Sequence, residues 1–381
     1  MAGSIRRNLR RARTVVRREI SHFARIPREA GIELTYRCNL RCKMCGVFGK
    51  IRDQHEQELR VDEYRNLFIQ MQEMGIGLVT FTGGEPFVRK DLFDIVGEAK
   101  SQGLRCNIFS NGTLINDETL KRVFESGVDK LIFSVDGMNG VHDEIRGIPG
   151  SFDKVIRTIS DLIATRRDRG LQSPEIDAHM TMMRGNVESL SPLSDLCRSM
   201  GINFSFQPYS ESNEKSLRET ISVLEGVTAN RYLPQDSTLR FTDEDLVRLK
   251  EELARLPLDF YSKLMSYFSA EELKKGLMPV KKCYFTRNFV MLDPYGNVFP
   301  CTNLDSYKLG NVRSQALYEI WTGVKYERLR EKLSRRLFPL CVYCCHLGDN
   351  LSFGQLVRIM SGRPDGRYAV GGPPYFGINS R

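Results

Sequence analysis

The chain is poor in the features that mark membrane and secreted proteins. No stretch approaches the ~20 consecutive apolar residues that a membrane-spanning helix needs, and no unbroken apolar segment follows the basic N-terminus as it would in a secretion signal. A disulfide framework is therefore not expected among the ten cysteines of the 381 residues. Only five histidines are present, so thiols are the main candidate metal ligands. We expect a cytoplasmic protein.

Positive charge is concentrated at the N-terminus. Residues 1–30 contain nine arginines against Glu19 and Glu29, which accounts for +7 of the net charge of +9. Apolar residues recur there at spacings of three and four, which predicts a basic amphipathic helix over residues 5–25. Three interpretations stay open. The helix docks on an anionic membrane surface or a partner, it packs on the body with a solvated arginine face, or, least favoured, it binds nucleic acid.

From residue 31 onward, strand-like and helical patterns alternate. The strand-like runs are Ile32–Thr35, Leu78–Thr82, Arg105–Phe109, Lys130–Val135, Ile176–Met182 and Asn203–Gln207. Helical runs between them include Val61–Met74, Leu92–Ser101, Asp117–Glu125, Phe152–Arg167 and Val187–Met200. This alternation predicts an α/β fold, a partial (β/α)6 TIM-like barrel with a parallel sheet and outer helices. In such barrels, functional residues lie at the carboxyl ends of the strands.

The second half of the chain is less regular. Residues 210–240 are polar without clear periodicity and are interpreted as a connection, at the start of a helical linker region over 211–282. Thr242 followed by Asp245 predicts a helix start. The sequence Asp-Pro-Tyr-Gly-Asn at 293–297 predicts a hairpin turn. The C-terminal tail, 351–381, is predicted to be irregular.

A cysteine triad follows the first predicted strand. Cys38, Cys42 and Cys45 have the spacing C-x-x-x-C-x-x-C. Three thiolates can hold three irons of a four-iron cluster, which leaves the fourth iron open for a ligand. A zinc site would need a fourth nearby ligand, and the nearest histidine, His55, lies ten residues on. The triad therefore favours an open iron–sulfur cluster over zinc.

Several motifs in order resemble those of the radical S-adenosylmethionine (SAM) enzymes, over about residues 31–210. The triad contains Met44 where the family has a hydrophobic or aromatic residue. The second strand is followed by Gly83-Gly84-Glu85-Pro86, which is similar to the family's GGEP motif. The third and fourth strands end at Ser110-Asn111-Gly112 and Ser134-Val135-Asp136, and Arg146 follows the latter.

The resemblance implies a [4Fe–4S] cluster bound by the triad, with SAM on its open iron. It further implies that SAM contacts the strand-end residues Met44, Gly83, Gly84, Glu85, Ser110, Asn111, Ser134, Asp136 and Arg146. Within this set, the glycines and Glu85 suit the amino group of SAM. Arg146 suits its carboxylate, because a guanidinium binds a carboxylate through two parallel hydrogen bonds.

The activity that the resemblance implies is reductive cleavage of SAM to a 5′-deoxyadenosyl radical, which abstracts hydrogen from an unactivated C–H bond. A one-electron reductant such as flavodoxin or ferredoxin would supply the electron. No side chain is assigned as a catalytic residue. Asn186 and Gln207 are weaker candidates for cofactor contacts, because ordinary loop hydrogen bonding explains them about as well.

A second cysteine group resembles the SPASM domain, a C-terminal extension of many radical SAM enzymes. Twelve residues separate Cys283 from Gly296, and four separate Gly296 from Cys301; a further group follows at Cys341, Cys344 and Cys345. A full SPASM domain has more cysteines, so the resemblance implies one auxiliary [4Fe–4S] cluster of the shortened "twitch" type. Its ligands would be Cys283, Cys301, Cys341 and Cys344, with zinc on the same four thiols as the alternative.

Other residues near these motifs have simpler explanations. Cys345 can replace Cys344 as a ligand, since the two are adjacent. Cys106 and Cys197 are expected to be buried apolar-type residues. Three interpretations stay open for His346: a cluster ligand, a hydrogen-bond donor near the cluster or, the favoured one, an ordinary loop histidine.

The motifs divide the chain into an N-terminal helix at 1–30, a radical SAM core at 31–210, the linker, an auxiliary domain at 283–350 and the tail. Because SPASM-type enzymes most often modify peptides, a peptide or protein is the first expected substrate. The alternative is a small-molecule, sugar or lipid-linked substrate for a dehydrogenase, epimerase or transferase. A non-catalytic iron–sulfur protein is the hypothesis from a different class.

Overall fold

The structure is a computed structural model. It describes residues 27–47, 57–210, 214–224, 236–257, 264–265, 268–275, 277, 282–344, 346 and 350. The helix predicted for residues 5–25, His55, Cys345 and the tail at 351–381 lie outside the described residues. Within the described part of the chain, no helix is long and apolar enough to cross a membrane.

One continuous sheet organises the molecule. Its strands are β1 (Glu29–Thr35), β2 (Leu78–Gly83), β3 (Arg105–Ser110), β4 (Lys130–Ser134), β5 (Glu175–Met182), β6 (Asn203–Pro208), β7 (Phe289–Leu292), β8 (Asn297–Phe299) and β9 (Gly310–Asn311). Their order is β6-β5-β4-β3-β2-β1-β7-β8-β9. The first six strands are parallel, β7 continues parallel to β1, and β8 and β9 are antiparallel.

The helices connect these strands. They are α1 (Val61–Glu73), α2 (Leu92–Ser101), α3 (Asp117–Ser126), α4 (Gly140–Arg146), α5 (Ser151–Asp168), α6 (Leu190–Ser199), α7 (Glu214–Val223), α8 (Asp243–Arg255), α9 (Ala270–Lys274), α10 (Phe285–Asn288), α11 (Leu317–Thr322) and α12 (Val324–Arg335). Together with the first six strands they form the predicted partial barrel.

Alternation along the strands separates the two faces of the sheet. In β2, Val79 and Phe81 are fully buried and belong to the same core as Leu67 of α1 and Val96 of α2. The intervening residues of β2 to β6 point the other way, toward the inside of the barrel, because successive side chains of a strand alternate. The barrel is thus apolar outside, where the helices pack, and open inside, where a site can form.

The six predicted strands agree with the structure to within three residues at each end. The interpretation of 210–240 as a connection without periodicity was wrong for its first part, because α7 covers Glu214–Val223. Leu217 and Thr220 are buried on one face of that helix. The predicted helix start at Thr242 is confirmed: its hydroxyl accepts a hydrogen bond from the Asp245 backbone N–H, and the Asp245 carboxylate bonds back.

The predicted hairpin turn is also confirmed, between β7 and β8. Asp293 Oδ1 accepts hydrogen bonds from the backbone N–H groups of Tyr295 and Asn297, both at 2.9 Å. Gly296 has a φ of +86°, a left-handed conformation that favours glycine. The position of this hairpin was not foreseen. Through β7 it extends the barrel sheet beside β1, so the auxiliary segment and the core share one sheet.

Candidate cofactor and iron–sulfur site

The cysteine triad lies in the loop after β1, at the carboxyl end of the sheet. Cys38 and Cys42 are half-buried and Cys45 is exposed. Helix α4 supports the loop through one backbone hydrogen bond. The Lys43 N–H donates to the Ile145 carbonyl at 2.9 Å. Within the loop, the Leu40 N–H points at the Cys38 sulfur at 3.4 Å.

A cavity of about 390 Å³ opens directly onto the triad, which is within the usual size range of ligand pockets. Eight of the nine predicted cofactor-contacting residues line it: Met44, Gly83, Gly84, Glu85, Ser110, Asn111, Ser134 and Arg146. The ninth, Asp136, is fully buried behind Arg146. The structure therefore gathers around one cavity residues that are separated by up to 102 positions in the sequence.

Two glycines let β2 and the cysteine loop approach each other closely. A Cβ atom on Gly84 would lie 2.2 Å from the carbonyl oxygen of Arg37, and one on Gly83 would lie 2.4 Å from that of Thr35. The Gly84 N–H donates to Thr35 O at 2.6 Å, and the Glu85 N–H donates to Arg37 O at 2.9 Å. Besides leaving room for a ligand, the glycines are thus required for the loop to reach this position.

Glu85 joins β2 to the end of β3. Its Oε1 accepts from the Ser110 hydroxyl at 2.9 Å and from the Phe87 N–H at 3.2 Å, and its Oε2 accepts from the Asn111 N–H at 2.8 Å. Burial raises the pKa of this carboxyl to about 7, although the three hydrogen bonds oppose the shift. The side chain is therefore a fixed brace of the cavity wall.

Asn111 links the end of β3 to the cysteine loop. Its Oδ1 accepts from both the N–H and the hydroxyl of Thr113, which fixes the orientation of the amide. Its Nδ2 donates to Asn39 Oδ1 at 3.0 Å and lies 4.0 Å from the sulfur of Cys38. The amide thus presents a donor beside a triad sulfur.

A buried ion pair supports the other side of the loop. Arg146 Nη2 lies 2.5 Å from Asp136 Oδ2, and Arg146 Nη1 is 3.5 Å from the sulfur of Cys42. Asp136 Oδ1 accepts from the Thr181 N–H, and the Asp136 N–H donates to Nδ1 of His142. That nitrogen is therefore unprotonated, and burial lowers the pKa of His142 to about 3. Arg146 is positioned by these contacts at the edge of the cavity.

The two weaker candidates do not line this cavity. Asn186 Nδ2 donates to the carbonyls of Asp136 and Thr181, and its Oδ1 accepts from the Met183 N–H. Its side chain is thus used for ordinary loop hydrogen bonding. Gln207 lies on β6, opposite Thr181 of β5.

Burial disfavours ionisation of two of the triad thiols. Burial raises the pKa of Cys38 to about 11, and the neighbouring charges of Glu85, Cys42 and Cys45 raise it further. Burial also raises the pKa of Cys42, against the opposing effect of Arg146. Bound iron would offset this effect with its positive charge, because a coordinating thiol is deprotonated. The triad and its open cavity fit a cluster that carries a further ligand.

The second cysteine group forms a separate site at the end of the auxiliary segment. Cys341 is half-buried, and the pKa of its thiol is raised well above the ordinary value by burial and by Cys283 and Cys344. Burial is the main cause that raises the pKa of the neighbouring Tyr326, and the charges of Cys283 and Cys301 also raise it. Among the residues that the structure describes, no three possible ligands converge on the point that one ion would occupy. A cluster of four irons separates its ligands more widely than one zinc ion does.

Several residues around these sites were missed by sequence reasoning. Glu33 of β1, Thr302 and Asp305 line the cavity beside the triad, and Tyr36 donates to Glu33 Oε2 at 2.9 Å. A carboxylate within an apolar strand was the one available signal, for Glu33. His346 is hydrogen-bonded to Thr302 through Nε2 and stacks on Phe285. Cys106 and Cys197 are buried as predicted.

Comparison with known proteins agrees with both sites. Residues 32–173 match the model of the radical SAM superfamily, and residues 283–347 match the SPASM model, described as an iron–sulfur cluster-binding domain. The chain is 29% identical over 312 residues to an AdoMet-dependent heme synthase of Nitratidesulfovibrio vulgaris, covering 78% of this chain and 79% of that protein.

A second relative is a PqqA peptide cyclase of Rhodopseudomonas palustris, 28% identical over 315 residues, 79% of this chain and 74% of that protein. Among solved structures, SuiB of Streptococcus suis bound to S-adenosylmethionine superimposes with a TM-score of 0.59 at 17% identity, covering 85% of this chain and 72% of that one. The latter likeness supports the fold.

A partial barrel with a cysteine triad at the carboxyl ends of its strands, and a second cysteine site beyond it, defines an iron–sulfur enzyme. The chain belongs to the radical SAM superfamily and carries a SPASM domain. Its cofactors are SAM with a [4Fe–4S] cluster and auxiliary iron–sulfur in the SPASM domain, which decides against the zinc alternative.

Proposed function

We propose that this enzyme abstracts hydrogen from a C–H bond of a peptide or protein substrate. The observation that carries the proposal is the chemistry of the inner barrel face. Seven neutral side chains that form hydrogen bonds lie on this face, beside apolar Phe109 and Ile132 and the Lys130–Asp177 ion pair: Thr80, Asn107, Ser134, His179, Thr181, Ser205 and Gln207. Neutral donors and acceptors next to apolar side chains suit the amide groups and side chains of a peptide. The PqqA peptide cyclase relative supports the same substrate class.

His179 is the most distinctive of these side chains. Its Nδ1 lies 2.9 Å from the Ser205 hydroxyl, and its ring meets Phe109 edge-on. Burial lowers the pKa of His179 to about 4, so the imidazole is neutral near pH 7. A neutral imidazole both donates and accepts a hydrogen bond, as an amide does.

We propose that the cavity residues hold SAM as the motifs imply. When bound, the triad cluster and SAM supply a 5′-deoxyadenosyl radical, which removes a hydrogen atom from the substrate. The backbone at Gly83 and Gly84, with Glu85, accepts hydrogen bonds from the amino group of SAM. Arg146 binds the carboxylate of SAM. Met44, Ser110, Asn111 and Ser134 contact the remainder of the molecule, and Asp136 holds Arg146 in place.

We further propose that Cys283, Cys301, Cys341 and Cys344 bind a single auxiliary [4Fe–4S] cluster. After burial, Cys283 and Cys344 both raise the pKa of the Cys341 thiol, which supports one shared site, and the Asn350 amide donates to the Cys344 sulfur at 3.2 Å. Four protein ligands would saturate the cluster, so it serves electron transfer or shapes the substrate site. We also propose domain boundaries from the two cysteine groups: residues 31–210 form the radical SAM core and residues 283–350 form the auxiliary domain.

The central test is product formation by the anaerobically reconstituted enzyme with SAM, reductant and candidate peptides, such as any encoded beside its gene. We expect 5′-deoxyadenosine and a mass change in the peptide. The Cys38→Ala variant should form neither, while iron falls from about eight to about four per chain because the auxiliary cluster remains. No 5′-deoxyadenosine under any reducing condition would contradict catalysis and favour a non-catalytic iron–sulfur protein.

A tetrapyrrole is the second candidate substrate, favoured by the 29% identity to an AdoMet-dependent heme synthase. Such a macrocycle is flat and largely apolar, and it carries carboxylates that require cations. The same assay with iron coproporphyrin in place of peptide distinguishes the two. Substrate-dependent 5′-deoxyadenosine with the porphyrin alone would replace the peptide proposal by this one.

We also propose that the enzyme contacts the membrane surface through residues 5–25 and takes its electron from flavodoxin or ferredoxin. The arginine-rich amphipathic pattern supports the membrane contact. Removing residues 1–26 should abolish sedimentation with anionic lipid vesicles and leave 5′-deoxyadenosine formation unchanged. Sedimentation that persists after the deletion would contradict this contact.

A further inference from the structure

A buried cation lies beside the auxiliary cysteines. Arg330 of α12 is 2% exposed, and its guanidinium lies 4.0 Å from the ring centre of Trp321 and 3.7 Å from that of Tyr326. Its Nε donates to the Thr286 carbonyl at 3.1 Å. Its Nη1 donates to the Trp321 carbonyl and to the Glu327 carboxylate. Its Nη2 is buried and has no hydrogen-bond partner among the residues that the structure describes.

A second buried donor without a partner lies next to it. The hydroxyl of Tyr326 is buried, and none of the described residues accepts a hydrogen bond from its O–H. Burial raises the pKa of Tyr326, the Arg330 guanidinium lowers it, and the charges of Cys283 and Cys301 raise it. The Thr286 hydroxyl is 3.7 Å from the Cys283 sulfur. Leaving a buried donor unsatisfied costs about 1–3 kcal/mol, so the two donors call for an acceptor that the described residues do not provide.

A third donor reaches the cysteines from the opposite end of the segment. Asn350 is 3% exposed. Its Oδ1 accepts from the backbone N–H groups of Tyr284 and Phe285, at 2.7 and 3.0 Å. These two donors fix which end of the amide is oxygen. The Nδ2 group is therefore directed at the Cys344 sulfur, at 3.2 Å.

We propose that Arg330, Tyr326 and Asn350 raise the reduction potential of the auxiliary cluster. The inference rests on the four-cysteine ligand set proposed above. With four thiolates, a [4Fe–4S] cluster has a net charge of about −2 when oxidised and about −3 when reduced, and hydrogen bonds to its sulfurs set its potential. A cation and N–H or O–H donors stabilise the more negative state in a buried site, where screening is weak. The cluster therefore accepts an electron more readily than it would without them.

The Glu327 carboxylate offsets only part of this effect. Its side chain is 33% exposed, whereas that of Arg330 is 2% exposed. Solvent therefore screens the negative charge more strongly than the positive one. Arg330 also has a buried donor, Nη2, without a partner among the described residues. These residues are positioning residues, because they act through the cluster and not on the substrate.

The test isolates the auxiliary cluster in a Cys38→Ala, Cys42→Ala, Cys45→Ala chain and measures its midpoint potential by a redox titration followed by electron paramagnetic resonance. In that chain, Arg330→Met removes the charge and keeps an apolar side chain over Trp321. We expect it to shift the one-electron equilibrium at least tenfold toward the oxidised cluster, about 59 mV. The exposed Arg328→Met, on the same helix with the same charge change, should leave the potential unchanged.

Tyr326→Phe provides a second and milder variant. It removes only the hydroxyl, so the fold is retained even if Arg330→Met loses its iron. We expect a lower potential with a smaller shift than for Arg330→Met. Unchanged potentials in every iron-retaining variant would overturn the inference and leave the ligand set standing. Absence of auxiliary iron from the triple-alanine chain would overturn the ligand set itself, and the inference with it.

Discussion

Gly84 has the tightest backbone approach beside the cysteine loop. An added methyl group would lie 2.2 Å from the Arg37 carbonyl oxygen, and backbone cannot move aside as a flexible side chain can. We expect Gly84→Ala to lower the free energy of unfolding by ~3 kcal/mol, which is the upper end of the usual cost of overpacking. We also expect it to weaken SAM binding. Thermal unfolding and equilibrium dialysis with SAM on the reconstituted enzyme measure the two effects.

Gly97 provides the matched control. It lies inside α2, where an added methyl group meets nothing within 4 Å. Gly97→Ala should stabilise the protein by ~1 kcal/mol, because alanine favours a helix interior over glycine, and SAM binding should not change. Similar effects of the two substitutions would mean that the close contact at Gly84 is not real.

Glu85 should make stability depend on pH. Its carboxyl has a pKa of about 7 in the folded chain, against 4.5 as the ordinary value. The folded state therefore keeps a proton that the unfolded state releases, so this contribution is complete below about pH 4.5 and is lost as the pH rises through about 7. In Glu85→Gln the contribution is absent. The amide also replaces one accepting oxygen, which costs about 1–3 kcal/mol.

The difference in unfolding temperature between the wild type and Glu85→Gln should consequently shrink between about pH 5.5 and about pH 8. The exposed Glu251→Gln, in the middle of α8, serves as the control and should show no such trend. A difference that stays constant or widens with pH would mean that Glu85 is ionised throughout this range.

Site residues that belong to local sequence motifs were predictable from the sequence. The triad, the glycines and Glu85 stand at strand ends, where a parallel sheet collects functional groups. The partners of Arg146 were not predictable, since Cys42 lies 104 residues away and no local pattern pairs Arg146 with Asp136; the packing of α4 brings the three together. Arg330 gave no signal at all, because an arginine in a charged amphipathic helix normally faces solvent.

At the level of elements, the strands were predictable because each is a short apolar run between helices. Helix α7 was missed because its apolar face is narrow: Leu217, Ile221 and Leu224 are surrounded by polar residues. No local sequence pattern predicts that β7 pairs with β1. More than 250 residues separate the two strands, and parallel pairing depends on tertiary packing alone.

Strand β7 should be necessary for folding of the core. It pairs with β1 from Glu29–Phe289 to Ile32–Leu292, and Arg313 ties the same segment to Glu63 of α1. A chain truncated after residue 282 would expose the β1 edge, which is a site for aggregation. We expect this chain to elute as aggregate in gel filtration and to melt without cooperativity in circular dichroism.

A second variant distinguishes the effect of losing the auxiliary cluster from the effect of losing strand β7. The full-length chain with Cys283, Cys301, Cys341 and Cys344 all replaced by serine lacks the auxiliary cluster but keeps β7 to β9. It should remain far less aggregated than the truncated chain. If the truncated chain is monomeric and melts cooperatively, then β1 is a stable edge and the auxiliary segment is a separate domain.

At the scale of the whole molecule, the cofactor cavity is built from both ends of the described chain. Glu33 and the triad come from the first strand and its loop, while Thr302 and Asp305 come from the segment after β8. The auxiliary segment therefore contributes to the wall of the cavity beside the cysteine triad. A change of substrate between related enzymes can arise in that segment without any change in the barrel.

The neighbouring positions of β1 and β7 also have a consequence for biosynthesis. Synthesis proceeds from the N-terminus, and β1 leaves the ribosome early, whereas the strand that covers its open edge is made more than 250 residues later. The nascent chain thus carries exposed thiols and an unpaired strand edge for most of its translation. Iron delivered to the triad before release would meet a half-built cavity, so cluster insertion belongs after the last strands have joined the sheet.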